Sequence, residues 1–144
     1  MRIKVDMNKC NGCRLCEAVC STVSNIKEKS GILNPDISAI KINYDKFKRN
    51  DTAIVCYQCK KAHCMDICST RALFRSDGTI LLDPSLCTGC EDCITACASV
   101  FTISMISFSP QEEKIIKCDL CSKYSFQYCI ESCPVEAISL VGKK

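Results

Sequence analysis

The feature that most constrains this chain is a four-cysteine motif that occurs four times along it. Two copies have the spacing C-x2-C-x2-C-x3-C, and the other two are longer between their second and fourth cysteines. In chain order the motifs contain Cys10, Cys13, Cys16 and Cys20; Cys56, Cys59, Cys64 and Cys68; Cys87, Cys90, Cys93 and Cys97; and Cys118, Cys121, Cys129 and Cys133. These motifs use all sixteen cysteines of the 144-residue chain.

The compact spacing predicts iron–sulfur chemistry. Three thiolates on one tight loop can bind three irons of a cubane, whereas the fourth, at the start of a helix, is carried away and ligates a different cluster. Zinc is the main alternative, because C-x2-C pairs also build tetrahedral sites of four thiolates, but zinc sites usually combine two separate pairs. We therefore expect four 4Fe-4S clusters as cofactors, with a three-iron cluster at one site as an alternative.

Disulfide bonds are a poor explanation for so many cysteines. Four cysteines within eleven residues, twice over, are badly placed to bridge one another's loops. The first eight residues contain no long apolar run, so we expect no export signal. Both observations favour a reducing compartment, and we expect the protein to be cytoplasmic.

The charge of the chain argues against nucleic acid as a partner. The formal net charge is +3, but thiolate-bound clusters are anionic, so we expect the loaded protein to be acidic. No apolar stretch approaches the roughly 18 residues that a spanning helix needs, so we expect no direct membrane span. Any membrane anchor would belong to another subunit.

The segments between the motifs predict an α+β fold with a repeating order of strand, cysteine loop, short helix and strand. A hairpin is expected from strands at 37–44 and 53–55 around a polar turn at 46–51, and another around Asp77-Gly78. Single helical turns are expected at 69–72 and 134–137, and a strand at 101–108. Gly12 and Gly89 occupy equivalent loop positions, where a positive φ would turn backbone N–H groups toward sulfur.

Several polar residues stand beside the cysteines. Lys60, Lys61 and Lys117 could raise the reduction potentials of nearby clusters, although solvated lysines are commoner. His63 could act as a polar neighbour of a cluster, but an exposed loop histidine is the simpler interpretation. No nucleophile with a base and no phosphate-binding loop is present, so the sequence favours a protein that is not an enzyme.

Taken in order, these motifs make the chain resemble the four-cluster ferredoxin-like electron-transfer subunits. Such subunits accompany tungsten and molybdenum pterin enzymes, among them dimethyl sulfoxide reductase, formate dehydrogenase and aldehyde oxidoreductase, and also some hydrogenases and carbon monoxide dehydrogenases. The resemblance covers nearly the whole chain and depends on the four spacings and the segments 77–78, 87–90 and 117–121. It implies two pseudo-symmetric lobes: lobe A from 1–25 and 110–144, lobe B from 50–109, with a hairpin insert at 26–49.

The resemblance also implies that motifs exchange their fourth cysteines. Cluster 1 would then be held by Cys10, Cys13, Cys16 and Cys133, and cluster 2 by Cys20, Cys118, Cys121 and Cys129. Cluster 3 would be held by Cys56, Cys59, Cys64 and Cys97, and cluster 4 by Cys68, Cys87, Cys90 and Cys93. With a cysteine on every iron, no open coordination position would remain for a substrate.

The implied function is electron transfer without catalysis. The chain would relay single electrons between a large catalytic redox subunit and a soluble ferredoxin or another redox subunit. The resemblance favours a tungsten- or molybdenum-pterin aldehyde or formate oxidoreductase as the catalytic subunit. Two alternatives stay open at this point. One is a free-standing polyferredoxin serving a hydrogenase or carbon monoxide dehydrogenase, and the other is an iron–sulfur assembly factor.

Overall fold

The computed structural model describes residues 1–23, 33–44, 51–110 and 113–142. These residues form short strands and helices in an α+β arrangement. The strands are β1 (Arg2–Val5), β2 (Ile40–Asn43), β3 (Thr52–Val55), β4 (Leu73–Ser76), β5 (Thr79–Leu82), β6 (Ile106–Ser109), β7 (Lys114–Lys117) and β8 (Ile138–Val141). The helices are α1 (Leu15–Val23), α2 (His63–Asp66), α3 (Asp92–Phe101) and α4 (Tyr128–Glu131), with a 3₁₀ turn at Pro35–Ile37.

The strands pair as antiparallel ribbons of two. Three ribbons are hairpins between consecutive strands: β2 with β3, β4 with β5, and β6 with β7. The fourth joins the two ends of the chain, because β1 pairs with β8 and places Val5 opposite Ile138. This pairing brings the first and last cysteine motifs into one region of the molecule.

Both predicted hairpins are confirmed. Strands β2 and β3 pair with Ile42 opposite Ala53, although positions 46–50 of the predicted turn lie outside the described residues. The second hairpin joins β4 and β5 through Asp77 and Gly78, which have φ angles of +47° and +78°. A two-residue turn whose twist matches that of the strands requires positive φ at both residues.

The predicted positions of the short helices are wrong. The structure has no helix at 69–72 or 134–137, and the one-turn helices α2 and α4 instead precede the fourth cysteine of their motifs. The reason is the spacing of the third and fourth cysteines, which lie four residues apart in every motif, about one helical turn. The third cysteine of each motif therefore lies in the first turn of a helix.

The predicted strand at 101–108 is also wrong over its first half. Helix α3 ends at Phe101 and is followed by Thr102 with a φ of +67°, and β6 begins only at Ile106. The apolar residues here suit a helix as well as a strand, and they continue the helix that already contains Cys93 and Cys97. Cys97 consequently lies inside a helix rather than at the start of one.

Two separate groups of buried residues form the interior. The first combines β1, α1, the β2–β3 hairpin and β8 and contains the fully buried Ile40. The second combines α3 with β4 to β7 and contains the fully buried Ile80. Cysteines belong to both groups, so the interior consists partly of the residues that line the candidate metal centres. In the described ranges the longest helix, α3, has ten residues, and no helix is long and apolar enough to cross a bilayer.

Candidate metal centres

Four cavities contain the sixteen cysteines, four in each, and we number them along the molecule. Cavity 1 is lined by Cys10, Cys13, Cys16 and Cys133, and cavity 2 by Cys20, Cys118, Cys121 and Cys129. Cavity 3 is lined by Cys56, Cys59, Cys64 and Cys97, and cavity 4 by Cys68, Cys87, Cys90 and Cys93. Each cavity therefore combines three cysteines of one motif with one cysteine of another; that each set binds a cluster stays a prediction.

The long-range pairings of the fold explain this exchange. The β1–β8 ribbon and the packing of α1 against α4 place Cys133 beside the first motif and Cys20 beside the fourth. In the other half, α2 packs against α3, which places Cys97 beside the second motif and Cys68 beside the third. The β2–β3 hairpin covers two cavities, since Ile42 lines cavity 1 and Ile40 lines cavity 2.

One backbone conformation recurs in all four cysteine loops. The residue just before the second cysteine has a positive φ in each motif, and these residues are Gly12, Gln58, Gly89 and Leu120 with φ of +67°, +51°, +70° and +58°. The two glycines were identified from the sequence as positions that need this freedom. Gln58 and Leu120 were not, because nothing in their side chains signals a left-handed conformation. The shared φ is the strongest evidence that the longer motifs form the same kind of loop as the compact ones.

In every motif, burial opposes ionisation of the third cysteine. Burial raises the pKa of Cys16, Cys93 and Cys129 to about 12 and that of Cys64 to about 11. Repulsion from the other cysteines of the same cavity adds to the effect on each. Such thiols are protonated at neutral pH unless a metal replaces the proton, so binding of iron would release protons here.

The fourth cysteine of each motif accepts hydrogen bonds from backbone that follows it. The Cys97 Sγ accepts from the Met105 N–H at 3.4 Å, and the Cys133 Sγ from the Ala137 N–H at 3.3 Å. At Cys68, burial opposes ionisation, but hydrogen bonds led by the Leu73 N–H lower the pKa overall. Donors of this kind favour a thiolate and, in an iron–sulfur site, raise the reduction potential.

Electrostatic contacts between cysteines of different cavities give the order of the cavities. Cys16 of cavity 1 raises the pKa of Cys129 in cavity 2, after burial and nearer cysteines. Cys56 of cavity 3 acts in the same way on Cys118 of cavity 2, whose pKa is raised mainly by burial. Likewise the pKa of Cys93 in cavity 4 is raised by burial and then by Cys64 of cavity 3. The cavities therefore form a row from 1 to 4.

The two exposed cysteines lie in the cavities at the two ends of this row. Cys13 in cavity 1 and Cys90 in cavity 4 are the exposed cysteines of the chain, and the other fourteen are buried or half-buried. Of the polar neighbours considered from the sequence, Lys60, Lys61 and His63 are exposed. Lys117 is different, because it is half-buried and its ammonium donates hydrogen bonds within the protein.

The donor set of each cavity fits a 4Fe-4S cluster, which four thiolates bind. A zinc ion would need the four sulfurs of a site gathered around one centre at about 2.3 Å. Across the ranges that the structure describes, no group of three or more His, Cys, Asp or Glu side chains has a geometry that could hold a single metal ion.

Comparison with protein families gives a match to the 4Fe-4S dicluster domain over residues 51–143. The match includes the second, third and fourth motifs. Among curated proteins, the putative electron transport protein YsaA of Escherichia coli K12 is 34% identical over 137 residues, covering 94% of this chain and 86% of YsaA. The electron transport protein HydN of the same organism is 29% identical, with 98% and 87% covered.

Among solved structures, the chain is similar to one from the active site complex BamBC of benzoyl coenzyme A reductase as isolated. The TM-score is 0.54 at 25% sequence identity, and the alignment covers 95% of this chain and 74% of the other.

Proposed function

The chain belongs to the 4Fe-4S dicluster family of iron–sulfur electron transport proteins, and from this premise we propose that it relays electrons through four 4Fe-4S clusters, one in each cavity. The observation that carries the proposal is that all sixteen cysteines divide into four cavities of four. A dicluster domain accounts for two clusters, and the remaining two are proposed from the other eight cysteines. The proposed ligands of clusters 1 to 4 are the cysteines that line cavities 1 to 4.

The proposed architecture is a pair of pseudo-symmetric ferredoxin-like lobes. Lobe A would comprise 1–25 and 110–144, lobe B 50–109, and 26–49 would form an insert. Each lobe would combine a long helix with a one-turn helix: α1 packs on α4, and α3 packs on α2. The two separate buried groups support this division, with two exceptions at its boundaries. Ile115 of β7 lies within the range of lobe A but belongs to the second buried group, and Val55 of β3 lies within the range of lobe B but belongs to the first.

A bound 4Fe-4S cluster takes up and releases one electron, and the residues of the chain determine how easily this occurs. Burial of the third cysteines keeps water away from the sites, while N–H donors at the fourth cysteines favour the reduced state. With every donor in a cavity used for ligation, the protein would offer no position for a substrate. We therefore propose a non-catalytic carrier whose exposed cysteines, Cys13 and Cys90, mark the entry and exit ends.

The proposed role is that of a subunit attached to a large catalytic redox enzyme. The similar solved chain comes from an active site complex of a reductase, which supports a subunit more than a free carrier. A tungsten- or molybdenum-pterin aldehyde or formate oxidoreductase is the partner proposed from the sequence resemblance, with a soluble ferredoxin or another redox subunit at the other end. A reducing compartment, the cytoplasm, is the proposed location, because disulfide formation would compete with iron for the same thiols.

Anaerobic native purification with metal analysis tests this function. A subunit would co-elute in fixed proportion with a large protein that contains tungsten or molybdenum, and this chain would contain about 16 irons. A free carrier would elute alone and be reduced reversibly by several donors, whereas an assembly factor would lose its clusters to an apo-protein. Stoichiometric zinc, or iron far below that number with no reducible paramagnetic centre, would contradict the proposed relay.

A further inference from the structure

Lys117 lies at the junction between cavities 2 and 3, where the two halves of the molecule meet. It is the last residue of β7 and immediately precedes Cys118 of cavity 2. Its Nζ donates to the carbonyl oxygen of Ile80 at 2.7 Å, and Ile80 lines cavity 3. The same Nζ donates to the Cys118 carbonyl at 2.8 Å. The ammonium is therefore fixed between the two inner cavities instead of extending into solvent.

Gln58 holds the lysine in this place. It lies between Cys56 and Cys59 of cavity 3, is only 6% exposed, and adopts the left-handed conformation described above. Its Oε1 accepts from the Ile80 N–H at 2.9 Å and from Lys117 Nζ at 3.4 Å, while its Nε2 donates to the Cys118 carbonyl at 2.8 Å. One amide side chain thus connects a loop of cavity 3, strand β5 and a loop of cavity 2.

The ammonium is placed to act on both inner cavities. Lys117 itself lines cavity 2, and its Nζ is held on the carbonyl oxygen of Ile80, which lines cavity 3. The acceptors that fix it are neutral carbonyl and amide oxygens, which hold the charge in place without neutralising it. A fixed, half-buried charge is screened by salt much less than the exposed Lys60 and Lys61.

We propose that Lys117, positioned by Gln58, raises the reduction potentials of the two inner clusters together, so that electrons pass more favourably from the outer clusters to the inner pair. This inference rests on the proposed function, because it needs clusters in cavities 2 and 3. One electron enters each site from the neighbouring site or from an external reductant, and no bond is made or broken. A positive charge favours the reduced state of both sites by direct attraction, so its effect is shared by the inner pair and absent from the outer pair.

The test is a redox titration of the full chain with its clusters assembled anaerobically, followed by paramagnetic resonance. With Lys117→Met, we expect two of the four midpoint potentials to fall. The ratio of reduced to oxidised cluster at a fixed potential should drop at least tenfold at those two sites, which is about 59 mV for one electron. Lys117→Arg keeps the charge, so its four potentials should stay close to those of the unaltered protein.

Lys114→Met is the matched control. It removes the same charge from the same strand, but an odd separation along β7 places Lys114 on the opposite face. The charge of Lys114 acts on Asp83, so all four potentials should remain unchanged. A second variant, Gln58→Glu, keeps the side chain's shape and places a carboxylate beside the ammonium. It should lower the same two potentials as Lys117→Met.

Each outcome decides the inference. It is overturned if Lys117→Met leaves every potential unshifted, shifts the outer pair instead, or shifts no more than Lys114→Met. It is also overturned if Lys117→Met and Lys117→Arg lose iron equally while the remaining potentials stay unchanged, because the role is then structural. An unaltered protein without four reducible clusters would refute the proposed function itself, and that result is visible before any variant is compared.

Discussion

Cys133→Ala tests the exchange of cysteines between motifs. Cys133 belongs to the fourth motif by sequence, but it lies in cavity 1 with Cys10, Cys13 and Cys16. Its Sγ is fixed there by the N–H of Ala137, 3.3 Å away. Removing this thiol should therefore damage the site formed by the N-terminal motif, more than 100 residues earlier in the chain, and should leave the cavity of its own motif intact.

The expected size of the effect follows from four irons per site. Cys133→Ala should lower the iron content from about 16 to about 12 per chain, or only to about 15 if a three-iron cluster survives at that site. Adding Cys10→Ala should remove little more, because both residues line the same cavity. Adding Cys118→Ala instead should lower the content to about 8, because Cys118 lines cavity 2.

The free energy of unfolding should respond non-additively to loss of the sites in cavities 1 and 2. A cross-link between Cys16 and Cys133 closes a loop of about 100 residues, worth about 5 kcal/mol in a chain-entropy model. The sites of cavities 1 and 2 close nearly the same loop, since Cys20 and Cys129 also join the two chain ends. Losing one site should therefore cost less than this amount, and losing both should cost it in full.

The measurement is iron analysis combined with paramagnetic resonance on the single and double variants, prepared anaerobically side by side. If each motif bound its own cluster, the result would be reversed. Cys133→Ala with Cys118→Ala would then remove one site, and Cys133→Ala with Cys10→Ala would remove two. That reversed pattern would refute the assignment made from the cavities.

Three further outcomes are expected. Gly89→Ala should reduce cluster retention and lower the free energy of unfolding by more than about 1 kcal/mol, because the new Cβ would lie 2.6 Å from the Glu113 carbonyl oxygen. Gly78→Ala is the control, since Gly78 has a similar φ but open space around its Cβ position. Equal losses in the two variants would contradict the steric explanation. Iron chelation under reducing conditions should abolish the circular dichroism of the fold, because cluster binding and folding are coupled. A chain that stays folded without iron would contradict this coupling. Ile80→Val should destabilise by about 1 kcal/mol in urea, whereas exposed Ile103→Val should have no measurable effect.

Local spacing was sufficient to predict the parts of the site that are local. The loop glycines Gly12 and Gly89 and the Asp77-Gly78 turn each depend on a few neighbouring residues, and the structure has the expected positive φ at each. The helical turns were misplaced because two conformations fit the same short stretch. A spacing of four residues between the third and fourth cysteines is the signal that could have placed α2 and α4 correctly.

Other features gave no signal in the local sequence. Gln58 and Leu120 adopt positive φ because the loop geometry of their motif imposes it, at a conformational cost that other contacts must offset. Lys117 was expected to be solvated like most lysines. It is half-buried because Ile80 and Cys118, distant in sequence from one another, present carbonyl oxygens at the same point.

The sequence by itself determined the chemistry of this protein, since the number, spacing and loop positions of its cysteines restrict the metal and leave electron transfer as the function. Tertiary structure decided which cysteines share a cavity, the order of the cavities and the placement of a charge between the inner two. The physical reason is the separation along the chain of the residues whose interactions determine each feature. Ligand geometry within a loop is set by bonds and dihedrals over a few residues, whereas the pairing of β1 with β8 and the packing of α2 on α3 depend on burial and hydrogen bonds between segments far apart in the chain.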